Sequence, residues 1–175
     1  MANAGPTPHS SERRLHAAGS PEGSDNANVL IRPPIALALA VAGGLAATWL
    51  YPLPFLAAVV PAGWVGAAMI VLGFALAAWA VATMRRAGTR FETTQPSTRI
   101  VTAGPYRFTR NPIYGGMFLL LIGLAVAFDT LWLLVALAMF YLVIRYGVVA
   151  REEKYLERKF GDAYLDYLAK VRRWV

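Results

Sequence analysis

Apolar residues fall along this chain in four blocks, each near the length of a membrane-crossing helix. The first, about 34–55, is an almost unbroken run of Ala, Leu, Val and aromatic residues. At 1.5 Å per residue it covers the ~30 Å hydrocarbon core of a bilayer. Trp49 and Tyr51 near its end suit the aromatic belt of a membrane boundary. Pro52, Pro54 and Pro61 then force an uncharged turn, because proline cannot extend a helix interior. The second block, about 63–84, closes on Arg85 and Arg86. Its small residues Gly63, Gly66, Ala67, Gly73, Ala77 and Ala80 recur at helical steps, which lets another helix approach closely.

Residues 85–112 form a polar connector rich in Thr, Pro and Gly, too long for a plain helix–helix turn. The third block, about 113–128, is short for a span, roughly 24 Å by helical rise. Asp129-Thr130 makes a tight turn in which Asp129 is placed to cap the fourth block, about 131–150. Beyond it, about 151–171 reads as an amphipathic helix. Leu156, Phe160, Tyr164, Leu165, Leu168 and Val171 recur at helical spacing with Lys and Arg between them, and Gly161 interrupts the run. Such a helix rests Tyr155, Tyr164, Tyr167 and Trp174 at headgroup depth, and it can also roof a site. Residues 1–30 have low hydrophobicity and many turn formers, which predicts a disordered tail. The fold class that follows is all-α and integral to the membrane: about four transmembrane helices with a C-terminal amphipathic interfacial helix, in one domain over 31–175.

Charge orients this arrangement. The chain of 175 residues is 57% hydrophobic yet carries a formal net charge of +7. Arg85, Arg86, Arg90, Arg99, Arg107 and Arg110 crowd the connector, and Arg145, Arg151, Lys154, Arg158, Lys159, Lys170, Arg172 and Arg173 the C-terminal end, whereas the turns at 52–62 and 129 hold no cation. The positive-inside bias makes the basic face cytoplasmic, with both termini on it, and explains the charge without nucleic acid. There is no Cys, and the only histidines, His9 and His16, lie in the N-terminal tail. Thiolate chemistry, zinc and iron–sulfur ligation and a Ser-His-Asp triad therefore lack parts in the body of the chain, and no metal site is expected.

What remains is chemistry by Arg, Glu, Tyr, Asn and backbone. The segment Gly104-Pro105-Tyr106-Arg107-Phe108-Thr109-Arg110-Asn111-Pro112-Ile113-Tyr114-Gly115-Gly116 joins a turn to a helix start. Pro112 suits a first helical turn, and the free N–H groups there favour an anionic ligand group. The same features also serve a plain helix entry, with glycines for packing. Glu152-Glu153 follows the fourth block on the same membrane face, where it can hold an ammonium or ribose hydroxyls, or pair with Arg145, Arg151 or Lys154. Ionisable groups of both signs at a membrane boundary are a functional-site hypothesis by default.

The spaced set Gly104-Pro105-Tyr106, Arg110-Asn111-Pro112-x-Tyr114-x-Gly116 and Glu152-Glu153-x-x-Leu156-x-x-x-Phe160-Gly161-x-x-Tyr164-x-x-Tyr167-x-x-x-Val171-x-Arg173 resembles the isoprenylcysteine carboxyl methyltransferase family. The related phospholipid N-methyltransferases share the Glu pair. The resemblance covers about residues 85–175 and implies an integral-membrane methyltransferase using S-adenosylmethionine (SAM), enclosed on the cytoplasmic side by the connector, the last two spans and the C-terminal helix. It implies that Tyr106, Arg110, Asn111, Tyr114 and Gly116 line the cofactor pocket and that Glu152 and Glu153 hold its amino or ribose groups. Eukaryotic members carry His where this chain has Asn111, and Arg where it has Val148. Arg145, one turn earlier, is the candidate to position an acceptor carboxylate. The expected acceptor is lipophilic or membrane-delivered and bears a carboxylate, thiol or amine; the alternatives are a phospholipid amine methyltransferase and a non-catalytic membrane scaffold.

Overall fold

The computed structural model describes residues 29–56, 61–89 and 99–174. The expected disordered tail lies almost wholly outside them, as does the middle of the connector. All regular structure among the described residues is helical. The helices are α1 (Pro33–Leu50), α2 (Ala62–Arg86), α3 (Pro112–Ala127), α4 (Leu131–Leu142), α5 (Ala150–Phe160) and α6 (Asp162–Lys170), with a 3₁₀ turn at Gly104–Arg107.

Helix α1 starts with proline in its first turn, where the missing N–H costs nothing. It stops at Leu50, short of the expected Phe55. Tyr51 is extended, at φ −148° and ψ 94°, because Pro52 disfavours helical backbone in the residue before it. Helix α2 ends at Arg86, and Gly88 at φ +71° turns the chain so that the Thr89 N–H bonds the Met84 carbonyl at 3.1 Å, a glycine C-cap.

Three helical stretches are long and apolar enough to cross a membrane: Pro33–Leu50, Ala62–Arg86 and Leu131–Phe160. Helix α3 is apolar but shorter. It packs between α2 and α4, and α1 packs chiefly on α4. The third stretch is one continuous helix, because Val143–Val149 winds as a π-helix that joins α4 to α5. The amphipathic helix expected over 151–171 is therefore α5, a direct extension of the last span, followed by α6. They are separated at Gly161, whose φ of +51° is open to glycine at low cost.

A seam of glycines sets the closest approach. Gly66 faces Gly123 and Gly73 faces Gly116 in antiparallel register. A Cβ on Gly66 would lie 2.5 Å from the Gly123 carbonyl oxygen, and one on Gly116 would lie 2.6 Å from that of Gly73. In lipid, where apolar burial does not drive helix association, such close backbone packing does. Leu121, Leu133, Phe140, Ile144, Val148 and Val149 form the core between α1, α3 and α4.

At the end without cations, Asp129 does not cap α4 as expected. Its Oδ1 accepts the N–H groups of Phe55 and Leu56 at 2.9 and 2.8 Å, and Thr130 is the N-cap, accepting from the Trp132 N–H. The turn thus serves the preceding link, whose donors the two prolines leave without helical partners. Trp49 and Trp64, both more than four-fifths exposed, stand at this end as an interfacial belt would.

Candidate functional site

The site forms at the basic end, where four segments meet. The first is the short connector remnant 104–111. Gly104 adopts φ +58° and lies against Thr83 of α2, so tightly that a Cβ would come 2.7 Å from the Thr83 hydroxyl. Pro105 and Tyr106 are thereby tucked inward. The Tyr106 carbonyl accepts the Tyr167 hydroxyl at 2.8 Å, which pins the connector to α6.

The second segment is the opening of α3. Asn111 occupies the N-cap position without capping. Its Nδ2 instead donates to the Arg173 carbonyl at 3.1 Å, which also accepts the Thr109 hydroxyl at 3.0 Å. The Arg110 N–H reaches the Arg172 carbonyl at 3.0 Å. The third segment, the first turn of α5, supplies both glutamates. Tyr114 donates its hydroxyl to Glu152 Oε1 at 2.9 Å. Glu153 takes the Arg173 guanidinium in a two-pronged grip, with Nε 2.9 Å from Oε1 and Nη2 on Oε2.

Arg110 completes the cluster. Its Nη1 lies 3.0 Å from Glu153 Oε1, and its side chain is only 10% exposed. That ion pair lacks hydrogen-bond alignment: Nε and Nη1 are both buried without a hydrogen-bond partner among the described residues. Glu153 is therefore shared by two arginines, whereas Glu152 among the described residues meets only a phenol. Of the two roles open to the Glu pair, Glu153 takes the ion-pair one, and among the described residues its partners are Arg110 and Arg173 in place of Arg145, Arg151 or Lys154.

The fourth segment is the roof, α6 and the residues after it. Tyr155 of α5 and Tyr164 and Tyr167 of α6 are all at least nine-tenths buried, and Tyr164 and Tyr167 turn inward over the site. Trp174 packs its ring 5.5 Å from that of Phe118 and 5.8 Å from that of Tyr141, and its Nε1 is buried without a partner among the described residues. Burial raises the pKa of the Tyr164 hydroxyl to about 12; the Glu153 charge adds to the rise and Arg110 opposes it. Burial pushes Tyr106 and Tyr167 up as well. All three phenols thus stay protonated near neutral pH. The hydrogen bond to Glu153 raises Arg173 above the ordinary arginine value.

Of the residues read from the sequence, Arg110, Asn111, Tyr114, Glu152 and Glu153 come together here, and Tyr106 joins them through Tyr167. Two do not. Gly116 lies in the α2–α3 seam, where its missing side chain admits the Gly73 carbonyl and Ala77. Arg145 sits in the π-helix with its guanidinium 5.3 Å from the Tyr146 ring, and it pairs with neither glutamate. The π turn is wider than the 3.6-residue turn by which Arg145 stands one turn before Val148 as the candidate to position an acceptor carboxylate. Thr109 and Arg173 were read without a role. A C-terminal arginine twenty residues beyond a glutamate carries no local pairing signal.

The sequence profile of a family described as phospholipid methyltransferase matches residues 61–163, from α2 into the start of α6. A Haemophilus influenzae protein described only as uncharacterized is 55% identical over 51 residues, which are 26% of this chain and 81% of that protein. Helix α1 and the segment bearing Tyr164, Tyr167, Arg173 and Trp174 lie outside the profile match.

Proposed function

The chain belongs to the phospholipid methyltransferase family, and on that premise we propose that it transfers a methyl group from SAM to a lipophilic acceptor at the basic end of the bundle. It is an integral-membrane methyltransferase by family and by its long apolar helices. The donor, the acceptor and the membrane side are our reading. One observation carries it: Arg110, ion-paired with Glu153, is nine-tenths buried with N–H donors that make no hydrogen bond among the described residues, and Glu152 in the same cluster meets no cation among them.

A buried guanidinium with spare donors and a carboxylate without a counterion are each costly alone. Together they suit a ligand that brings a carboxylate and an ammonium, as the amino-acid end of SAM does. Arg110 would hold the carboxylate and Glu152 the ammonium, with Tyr114 fixing the Glu152 carboxylate. Glu153 and Arg173 brace Arg110 and the roof. When bound, SAM supplies an electrophilic methyl on sulfur. The chain's own part is to position and to exclude water, the main demands of an in-line displacement. Tyr164, Tyr167 and Trp174 cover the cluster for the second purpose.

Residues 29–175 contain no histidine to act as general base. An acceptor that already has a reactive lone pair, whether carboxylate, thiolate or amine, is the fitting class. The family's description favours the amine of a phospholipid as a second reading. The basic end faces the cytoplasm on this reading, by the positive-inside bias.

The test is lipid extract incubated with purified protein in nanodiscs and methyl-labelled SAM, read by mass spectrometry. A labelled lipid that disappears with Glu152→Gln supports the proposal and identifies the acceptor. Calorimetric binding of SAM without any labelled product would make the chain a binding protein, and absence of both would sink the reading.

A further inference from the structure

Two arginines from distant parts of the chain share the Glu153 carboxylate, and they hold it unequally. Arg173, just beyond the end of α6, spans both oxygens, with Nε 2.9 Å from Oε1 and Nη2 on Oε2. That is the fork-on-fork geometry by which a guanidinium fixes both the plane and the direction of a carboxylate. Arg110, just before α3, reaches only Oε1, with Nη1 at 3.0 Å and without hydrogen-bond alignment. Tyr164 of the roof takes a hydrogen bond from the same guanidinium, while Nε and Nη1 have none among the described residues.

The division runs against burial. The Arg110 side chain is 10% exposed and that of Arg173 29%, so the inner guanidinium has the greater need of a fully bonded counterion, yet the outer one holds it. Backbone contacts keep Arg173 in that place. Its carbonyl accepts the Thr109 hydroxyl and Asn111 Nδ2, and the Arg172 carbonyl accepts the Arg110 N–H. The residues on either side of Arg110 thus anchor the side chain that competes with it for Glu153.

We propose that Arg173 is a positioning residue for the cofactor: by occupying both oxygens of Glu153 it stops Arg110 from closing onto that carboxylate and keeps the Arg110 donors open to the carboxylate of SAM. This role rests on the methyltransferase reading above, and it belongs to a residue beyond 163, where the family profile stops. Without Arg173, Glu153 is free to rotate and form a two-pronged pair with Arg110, which an incoming carboxylate must then break. The loss therefore falls on ligands that carry a carboxylate, and it passes through Glu153. A merely structural role for Arg173 would have neither property.

The experiment is calorimetry of the full chain in nanodiscs with SAM and with decarboxylated SAM, which keeps the sulfonium and the ammonium but lacks the carboxylate. The readout is the ratio of the two affinities, in which general damage to the fold cancels. Wild type should prefer SAM by about tenfold or more. Arg173→Gln should cut that preference about fivefold, and Arg173→Lys, which keeps the charge but has no fork, about threefold. Adding Glu153→Gln to Arg173→Gln should return the preference to within about twofold of wild type, because Arg110 then has no carboxylate to close on. An unchanged preference in both Arg173 variants would overturn the proposal, as would a double variant no better than Arg173→Gln alone or a wild type that binds the two ligands equally. Each of these failures leaves SAM binding intact, whereas a wild type that binds neither ligand sinks the methyltransferase reading and this role together.

Discussion

Tyr114 in the first turn of α3 donates its hydroxyl to Glu152 Oε1 at the start of α5, a 2.9 Å bond that closes the site across thirty-eight residues of chain. Glu153, the next residue, turns to Arg110 and Arg173 instead. The two adjacent carboxylates therefore have different duties, and separate substitutions resolve them.

Glu152→Gln should weaken SAM binding about tenfold or more with little change in cofactor-free melting temperature, because it removes a charge-assisted contact worth roughly 1.5–3 kcal/mol and keeps the side-chain volume. Calorimetry beside thermal unfolding checks it. Unchanged affinity would remove Glu152 from the cofactor site.

Glu153→Gln should show first in stability. It leaves Arg110 and Arg173 facing each other without the carboxylate between them, a loss on the order of 1–3 kcal/mol for partly buried charges. The expected readout is a lower melting temperature and faster carboxypeptidase digestion of the C-terminus. Arg173→Gln should reproduce the digestion.

Tyr114→Phe deletes the donor to Glu152 while keeping the ring. A cost of about 1–3 kcal/mol is expected, divided between stability and SAM affinity, since the carboxylate loses its described partner. Wild-type values for both would show that the bond is not formed in the membrane.

Gly116→Ala tests the packing assignment of a residue that the resemblance placed in the cofactor pocket. The added methyl meets the Gly73 carbonyl at 2.6 Å, so the helices must separate, at about 1–3 kcal/mol. Gly63→Ala, with nothing within 4 Å of its Cβ, is the neutral control. A cofactor-affinity loss at unchanged melting temperature would restore the pocket role.

Asp129 supplies one oxygen to two backbone N–H groups. Asp129→Asn keeps an acceptor and should lie within about 0.5 kcal/mol of wild type, whereas Asp129→Ala should lose about 1–2 kcal/mol. Both are read by thermal unfolding in detergent. Equal losses would mean that charge, not hydrogen bonding, matters there.

Several features were legible along the chain because they depend on neighbours in sequence. Long apolar runs without charge can only be satisfied by helices in lipid, and prolines after Tyr51 and before Ile113 mark where helices stop and start. The spacing of Arg110, Asn111 and Tyr114 puts them on one helix entry, and Glu152-Glu153 was identifiable as its counterpart by the family resemblance.

The sequence by itself determined the all-helical membrane class and the residues from which a site could be built, because hydrophobic period, proline and charge act locally. Tertiary structure alone decided how those residues are used. Val143–Val149 winds as a π-helix, in which Arg145 lies against the Tyr146 ring and pairs with neither glutamate. The close approach of α2 and α3 made Gly116 a packing residue. The return of the chain beyond Gly161 brought Arg173 onto Glu153, leaving Glu152 to Tyr114. Each of these depends on where a distant segment comes to rest, which is set by backbone contact and by the pairing of buried charges, and neither has a period along the chain.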